Sequence, residues 1–262
     1  DHWITQNEPQ CYIGTGLSGG LHAPGLKMNK KDVLQAAHIS LLSHGRAVQA
    51  IRANAKRKPG IGYAPASWWL WSPVTNSAAD IEACRRQTFI ACEDQIGGTA
   101  WWRDPVYLGS YPQDAFETVR EYMPTIGADD MQIISQPVDF LGMNVYQSYL
   151  GRANADGSCV TVEHNKGFDH TAYPWPVTPQ ALYWGPRFFQ ERYHAPIVVT
   201  ENGMSNTDWV YLDGKVHDPQ RIDFTTRYLR ELKRAADDGV DINGYFHWTL
   251  TDNFEWATGF TN

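Results

Sequence analysis

The strongest apolar pattern in the chain is the β-branched run at residues 197–199, which leads into Thr200, Glu201, Asn202 and Gly203. A short run of this kind is typical of a strand that is covered on both faces. A carboxylate at the end of such a strand must be paired, neutral or catalytic. The pattern therefore predicts a buried strand that presents Glu201 at its carboxyl end, either as a catalytic group or as an ordinary cap or ion-pair partner.

Strands and helices are predicted to alternate along the chain. Apolar runs bounded by turn residues predict four more strands, at residues 1–5, 61–64, 139–146 and 242–250. Apolar residues at helical spacing predict connecting helices at residues 29–58, 77–96, 179–192 and 218–238. The remaining segments predict an aromatic loop at 97–112, a short helix at 114–122 and a rim or binding loop at 147–178. Strands separated by helices are typical of a parallel α/β sheet.

Polar residues collect where the predicted strands end. These groups are Asn7 with Glu8, Asn144 with Tyr146, Glu201 with Asn202, and Glu255 with Trp256. In a (β/α)8 barrel the carboxyl ends of all strands share one face, so these side chains would meet in one pocket. A doubly wound open sheet is the alternative, but it would spread the strand ends along an edge. We therefore expect an α/β fold of the (β/α)8 barrel type, with residues 1–262 forming a single domain.

Composition narrows the classes of function. The chain has 262 residues, of which 42% are hydrophobic, and this is enough for a sizeable core. The net charge of −7 comes from 22 basic and 29 acidic residues without a like-charge run, which argues against a nucleic-acid partner. No apolar run has membrane-spanning length, the sequence does not begin with a basic-then-apolar signal segment, and it contains no Asn-x-Ser/Thr acceptor. We expect a cytoplasmic protein without a membrane partner.

Two further motifs do not predict cofactor sites. Cys11, Cys84, Cys92 and Cys159 lack the spacing of metal ligands, so buried free thiols are the better interpretation. Residues 14–19 match the dinucleotide fingerprint G-x-G-x-x-G, but the following residues do not predict the helix that this fingerprint needs. A wide loop is the better interpretation of residues 14–19.

Glu8 and Glu201 are the candidate catalytic pair. Two carboxyl groups that face each other across a pocket with aromatic walls are suited to cleavage of a glycosidic bond. One group protonates the departing oxygen, and the other attacks or activates water. An ionised Glu201 would disfavour the ionisation of Glu8, which keeps a general acid protonated near neutrality. The spacing alone fits equally well with two unrelated acidic loop residues.

Three segments carry a resemblance to a known family. They are residues 5–9 (TQNEP), 200–203 (TENG) and 248–256 (WTLTDNFEW). In this order they resemble the diagnostic motifs of glycoside hydrolase family 1, the β-glucosidase family, and similar segments extend the likeness along the whole chain. The resemblance implies a retaining mechanism on a (β/α)8 barrel, with Glu8 as acid/base and Glu201 as nucleophile, their carboxyl groups about 5 Å apart. It implies no metal and no organic cofactor.

The resemblance also implies the residues that bind a β-glycoside or oligosaccharide. They are Asn7, Asn144, Tyr146, Trp248, Glu255 and Trp256. Asn7 would bond the 2-hydroxyl, Tyr146 would donate a hydrogen bond to the nucleophile, and Trp248 would form the floor under the sugar. Glu255 and Trp256 would bind the hydroxyls at its far side, which implies unphosphorylated sugars.

The resemblance covers only part of the family's barrel. The family's barrel normally begins well before this chain does, so the chain is expected to hold about strands four to eight. An incomplete parallel barrel leaves two unpaired edges, and we expect it to be unstable alone. A second chain with the N-terminal strands, or self-association, would cover these edges. The predicted function is a retaining β-glucosidase that is active when the missing part is supplied; the alternative is a catalytically inactive carbohydrate-binding or structural fragment.

Overall fold

The computed structural model describes residues 1–91 and 98–260. Its strands are β1 (His2–Asn7), β2 (Gly60–Ala64), β3 (Trp71–Pro73), β4 (Phe140–Asn144), β5 (Tyr149–Ala153), β6 (Cys159–Val162), β7 (Ile197–Asn202) and β8 (Ile242–His247). Its α-helices are α1 (Lys30–Asn54), α2 (Ala78–Phe89), α3 (Thr99–Tyr107), α4 (Gln113–Thr118), α5 (Asp130–Ile134), α6 (Ala181–Tyr193) and α7 (Pro219–Asp237). The five strands predicted from the sequence are all present.

The main sheet contains five parallel strands in the order β1-β2-β4-β7-β8. Because the strands follow chain order, every connection steps in the same direction across the sheet. Right-handed connections of this kind place the helices on one face. A doubly wound sheet reverses direction at a switch point, and the described sheet has no such reversal. The alternative fold is therefore wrong.

Several predicted boundaries are corrected by the structure. Helix α1 begins after the cap Asn29, whose side chain accepts from Asp32 N, but it ends at Asn54 rather than 58. Helix α2 ends at Phe89 rather than 96, and the predicted part at 92–96 lies outside the described residues, as do Cys92 and residue 97. Residues 14–18 of the loop predicted at 14–19 belong instead to a π-helical segment, Cys11–Ser18, and Gly19 follows it as the C-cap.

The predicted aromatic loop is instead the helix α3. Its Trp101 and Trp102 are completely buried and belong to the core between α1 and the sheet. Arg103 and Asp104, the next two residues, are also buried. The prediction was wrong because adjacent tryptophans do not show the apolar spacing of an amphipathic helix, whereas burial on all sides needs no such spacing.

The long connection at residues 147–178 contains regular structure. Strands β5 and β6 form an antiparallel hairpin there, and β5 also pairs in parallel with β3 in a second, three-stranded sheet. Strand β3 was missed because three residues are too few to show a period. No helix in the described part of the chain is long and apolar enough to cross a membrane.

Burial differs between the middle and the edges of the main sheet. Every residue of β4 is buried, whereas Trp3 and Ile4 on β1 are 50% and 44% exposed. At the other edge Phe246 on β8 is 60% exposed. Large apolar side chains therefore stand open to solvent along both outer strands, which a closed barrel would cover.

Candidate active site

The carboxyl ends of β1, β4 and β7 bring the two predicted catalytic residues to one place. Asn144, the last residue of β4, pairs with Glu201 in the sheet register. Glu8 follows β1 directly, and its backbone N–H donates to Ala64 O at the end of β2, at 2.9 Å. Both acidic groups therefore lie at the same end of the sheet, as predicted.

The side chain of Asn144 connects the two acidic residues. Its Nδ2 donates to Glu8 Oε1 at 3.0 Å and to Asn7 Oδ1 at 2.9 Å. The hydroxyl of Thr200 donates to Asn144 Oδ1 at 2.5 Å, which fixes the orientation of the amide. Asn7 and Asn144 both act to lower the pKa of Glu201. Asn144 therefore bonds the side chains of Glu8 and Asn7 directly, and it accepts a hydrogen bond from Thr200, the neighbour of Glu201.

Tyr146 positions Glu201. Its phenol donates to Glu201 Oε2 at 2.6 Å, as the resemblance implied. The backbone carbonyl of Tyr146 accepts from the Tyr228 hydroxyl at 2.8 Å, and the Trp175 ring packs against the Tyr146 ring at 5.2 Å. The half-buried Trp175 thus forms an aromatic wall beside Tyr146, and the sequence indicated only that its segment was a rim loop.

Three residues that sequence reasoning missed support Glu8. Cys11 Sγ donates to Glu8 Oε2 at 2.9 Å. Gln10 exchanges two hydrogen bonds of 3.1 Å with the backbone of Ala66, and the buried Arg103 donates to the same carbonyl oxygen at 3.3 Å. Glu8 itself has a left-handed conformation with φ of 41°, which costs a non-glycine residue about 1–3 kcal/mol. The proximity of Gln10 and Cys11 to Glu8 in the sequence was the available signal; Arg103 gave none.

Burial is the main cause of the electrostatic state of both carboxyl groups. It raises the pKa of Glu8, and the charge of Glu255 acts in the same direction. It raises the pKa of Glu201 to about 7, with a further contribution from Glu8, against the opposing hydrogen bond from Tyr146. Because each negative charge disfavours the other, the pair retains a proton near neutrality. The short bond from Tyr146 favours Glu201 as the ionised member.

The remaining predicted residues lie in the segment after β8. Asn253 Nδ2 donates to Glu255 Oε2 at 2.9 Å, and the charge of Glu255 acts on Glu8 and Tyr146. Trp256 stacks on His22 at 5.1 Å and is 57% exposed. The structure therefore places Glu255 within electrostatic range of Glu8 and Tyr146, and it leaves Trp256 accessible.

Trp248 is connected to the site through its backbone. Its N–H donates to Asn202 O at the end of β7, at 2.9 Å, and its side chain is 42% exposed. A partly exposed indole at this end of the sheet is available for stacking on a ligand. Among residues 1–91 and 98–260, no group of three His, Cys, Asp or Glu side chains could hold a metal ion.

Comparisons with known proteins agree with this geometry. The profile of glycosyl hydrolase family 1 matches residues 1–262. Beta-glucosidase A of Thermotoga maritima is 34% identical over 262 residues, which cover 99% of this chain and 56% of that protein. The 1,4-beta-D-glucan glucohydrolase of Thermotoga neapolitana is 34% identical over 265 residues, covering 99% of this chain and 59% of that protein. The chain thus spans somewhat more than half the length of these curated relatives.

Solved structures show the same relationship. A β-glucosidase from Thermotoga maritima in complex with glucoimidazole matches with a TM-score of 0.82 at 34% identity, covering 99% of this chain and 57% of that chain. The open parallel sheet therefore corresponds to part of a (β/α)8 barrel, and the prediction of an incomplete barrel is confirmed. By its profile, its relatives and its fold, the chain belongs to glycosyl hydrolase family 1.

Proposed function

We propose that this chain carries the catalytic centre of a retaining β-glucosidase, with Glu201 as nucleophile and Glu8 as acid/base. One observation carries the proposal: Asn144, which is paired with Glu201 in the sheet register, donates to Glu8, while the Tyr146 phenol donates to Glu201. These contacts give the carboxyl groups of Glu8 and Glu201, which are chemically identical, different surroundings. Burial raises the pKa of both groups, and the short bond from Tyr146 opposes this at Glu201. At Glu8 the hydrogen bonds from Cys11 and Asn144 oppose it, and the charge of Glu255 adds to it, so that the protonated form of Glu8 is favoured.

The reaction proceeds in two steps. Glu201 attacks the anomeric carbon while Glu8 gives its proton to the departing glycosidic oxygen, which leaves a covalent glycosyl-enzyme. Glu8, now ionised, takes a proton from water, and the resulting nucleophile breaks the glycosyl–Glu201 bond. Retention requires carboxyl groups about 5 Å apart, because no water has to fit between the nucleophile and the sugar. The carboxyl groups perform both proton transfer and attack, so the proposal includes no metal or cofactor.

The substrate class follows from the residues around the pair. Glu255 is a carboxylate acceptor for two sugar hydroxyls, and it would repel a phosphorylated sugar. Trp248 and Trp256 supply exposed aromatic faces. With Asn7 at the 2-hydroxyl, these residues support an unphosphorylated β-glucoside as substrate. The names of the relatives, beta-glucosidase and glucan glucohydrolase, support the same class.

We propose that turnover needs the remaining barrel strands. The apolar side chains of Trp3, Ile4 and Phe246 are exposed along β1 and β8, at the two edges of the sheet. Covering both edges would close the wall that holds Glu8 and Glu201 at a constant distance. The cover is either a polypeptide that carries the other strands or a second copy of this chain. The free thiols Cys11, Cys84 and Cys159 support a reducing, cytoplasmic location.

Hydrolysis of an aryl β-glucoside tests the proposal, first with this chain alone and then with a polypeptide that supplies three strand–helix units. Release of the β-anomer as first product supports retention, and labelling of Glu201 by a 2-deoxy-2-fluoroglucoside identifies the nucleophile. Glu201→Ala should abolish turnover, whereas Glu191→Ala, which changes a surface ion pair with Arg187, should not. An α-anomer as first product rules out the mechanism. Sugar binding without turnover in both preparations favours a non-catalytic carbohydrate-binding fragment.

A further inference from the structure

Two cysteines outside the candidate active site lie side by side. Cys84 on α2 and Cys159 on β6 are separated by 75 residues, and their sulfur atoms are 3.9 Å apart. Both thiols are free. The two sulfurs share the space above Gly151 on β5, where a Cβ would lie 2.5 Å from Cys84 Sγ and 2.7 Å from Cys159 Sγ. The missing side chain of Gly151 provides the room in which the thiols meet.

Other contacts hold the helix α2 against the β5–β6 hairpin. Asp80 in the first turn of α2 accepts from the backbone N–H of Ala153 at 2.8 Å, and Ala153 is paired with Cys159 in the hairpin register. Arg86, also on α2, donates to the carbonyl of Gly157 in the hairpin turn. The proximity of the sulfurs is therefore supported on both sides of the pair by contacts that do not involve sulfur.

The geometry is close to that of a disulfide. A disulfide has sulfur atoms about 2.05 Å apart, so the two thiols need to approach by roughly 2 Å. Cys159 begins β6, which is an edge strand of the three-stranded sheet. An edge strand pairs on one side only, so Cys159 can move toward Cys84 without breaking a second strand ladder.

The two thiols differ in access and in acidity. Cys84 is completely buried, whereas Cys159 is partly exposed. Burial raises the pKa of both thiols, but the contact between them raises the pKa of Cys84 further and lowers the pKa of Cys159. A reagent in solution therefore meets Cys159 first, and Cys84 lies behind it as the second thiol.

We infer that Cys84 and Cys159 form a site of reversible disulfide formation with a small disulfide oxidant such as glutathione disulfide. The Cys159 thiolate attacks one sulfur of the oxidant, breaks its S–S bond and releases one thiol. The Cys84 thiolate then attacks the sulfur of Cys159, breaks the mixed disulfide and releases the second thiol. Two cysteine thiols are oxidised, one disulfide is reduced to two thiols, and the two protons of the cysteines pass to the released thiols.

The cross-link would clamp the hairpin beside the active site. Strand β5 begins at Tyr149, three residues after Tyr146, which donates to Glu201. A bond between α2 and β6 would hold the far strand of this hairpin against the body of the fold. This inference concerns the hairpin alone and does not depend on the proposed glycosidase activity.

Peptide mapping of the whole chain tests the inference. The reduced protein is incubated with mixtures of reduced glutathione and glutathione disulfide, alkylated and digested without reductant. We expect a cross-linked peptide that joins Cys84 to Cys159 and disappears on reduction. Cys84→Ser should accumulate a glutathione adduct on Cys159, because the second thiol is missing. Cys159→Ser should leave the buried Cys84 unmodified, and Cys92→Ser is the matched control that still forms the cross-link.

The same reaction in denaturant gives the amount of Cys84–Cys159 cross-link that forms when the cysteines of the unfolded chain pair at random. The native chain should form the Cys84–Cys159 bond in clear excess over that amount. An unchanged thiol count, a stable glutathione adduct in the wild type, or pairing no more selective than in denaturant would each overturn the inference. Rapid modification of Cys84 in Cys159→Ser would also contradict it, because it would show that Cys84 is directly accessible.

Discussion

The side-chain amide of Asn144 lies 3.0 Å from the carboxyl group of Glu8, although 136 residues separate them in the sequence. The same amide is oriented by Thr200, the neighbour of Glu201 on β7. One uncharged side chain at the centre of the sheet thus connects the strand end that carries the proposed acid to the strand end that carries the proposed nucleophile. This connection makes the state of each carboxyl group sensitive to a small set of hydrogen bonds.

Asn144→Ala removes the amide donor from Glu8. A lost hydrogen bond to a charged group costs about 1.5–3 kcal/mol, so we expect kcat to fall roughly 10-fold to 100-fold in any preparation that hydrolyses an aryl β-glucoside. The donor lowers the pKa of Glu8, so its loss should move the basic limb of the pH–rate profile to higher pH. Asn154→Ala, in the exposed hairpin turn, is the control. An unchanged pH profile would contradict the role of Asn144.

Tyr146→Phe removes the 2.6 Å hydrogen bond to Glu201. The bond lowers the pKa of Glu201, so the variant should need a higher pH to ionise its nucleophile, and the acid limb of kcat/KM should move upward. We expect a loss of about 10-fold to 100-fold in kcat/KM. Tyr245→Phe, which removes a hydroxyl that donates to Asn202 instead, should leave the acid limb in place. Equal shifts in both variants would show a general disturbance of the sheet.

Glu201→Gln should change stability in a pH-dependent way. The pKa of Glu201 is raised from 4.5 to about 7 by burial, so the folded state binds the proton more tightly than the unfolded state. The protonated Glu201 side chain therefore stabilises the folded state. This contribution to the free energy of unfolding is complete below about pH 4.5 and is lost as the pH rises through about 7. A neutral glutamine avoids this loss. Urea unfolding should show the variant about 1–3 kcal/mol more stable than wild type at about pH 8, with little difference at about pH 4. The same difference at both pH values would contradict this assignment.

Arg103→Ala should destabilise the fold strongly. The guanidinium is completely buried and donates to Pro65 O at 2.8 Å and to Ser67 Oγ at 3.0 Å, and it stacks on the Phe189 ring at 4.6 Å. The variant leaves a cavity and unpaired acceptors, so we expect a loss of about 3–5 kcal/mol in the free energy of unfolding. Arg85→Ala breaks only an exposed pair with Glu82 and should change stability by less than about 1 kcal/mol. Similar unfolding midpoints for the two variants would contradict this expectation.

The local pattern of apolar and polar residues predicted those strands and helices whose burial follows a regular pattern along their length. The β-branched run at 197–199 predicted β7 because a strand that is covered on both faces needs apolar residues at every position. The predicted start of α2 at residue 77 was also correct, since the Ser77 side chain accepts from Asp80 N and caps the helix. Helix α3 was not predicted, because Trp101 and Trp102 are buried on all sides by distant elements and show no period of their own.

The candidate site divides in the same way. Glu8, Asn144, Tyr146 and Glu201 could be selected from the sequence because chemically suited side chains follow predicted parallel strands, and parallel strands end at the same edge. Gln10 and Arg103 could not, because their contacts meet at the carbonyl of Ala66, which lies 56 and 37 residues away from them in the chain.

The amino-acid pattern thus determined the parallel sheet, its order of elements and the acidic pair, because periodicity and strand-end chemistry are local properties. Only the tertiary structure decided which groups set the proton on each carboxyl and which thiols meet above Gly151. The physical reason is that pKa values and sulfur contacts depend on burial and on distances of a few ångströms between distant segments, and packing alone establishes these.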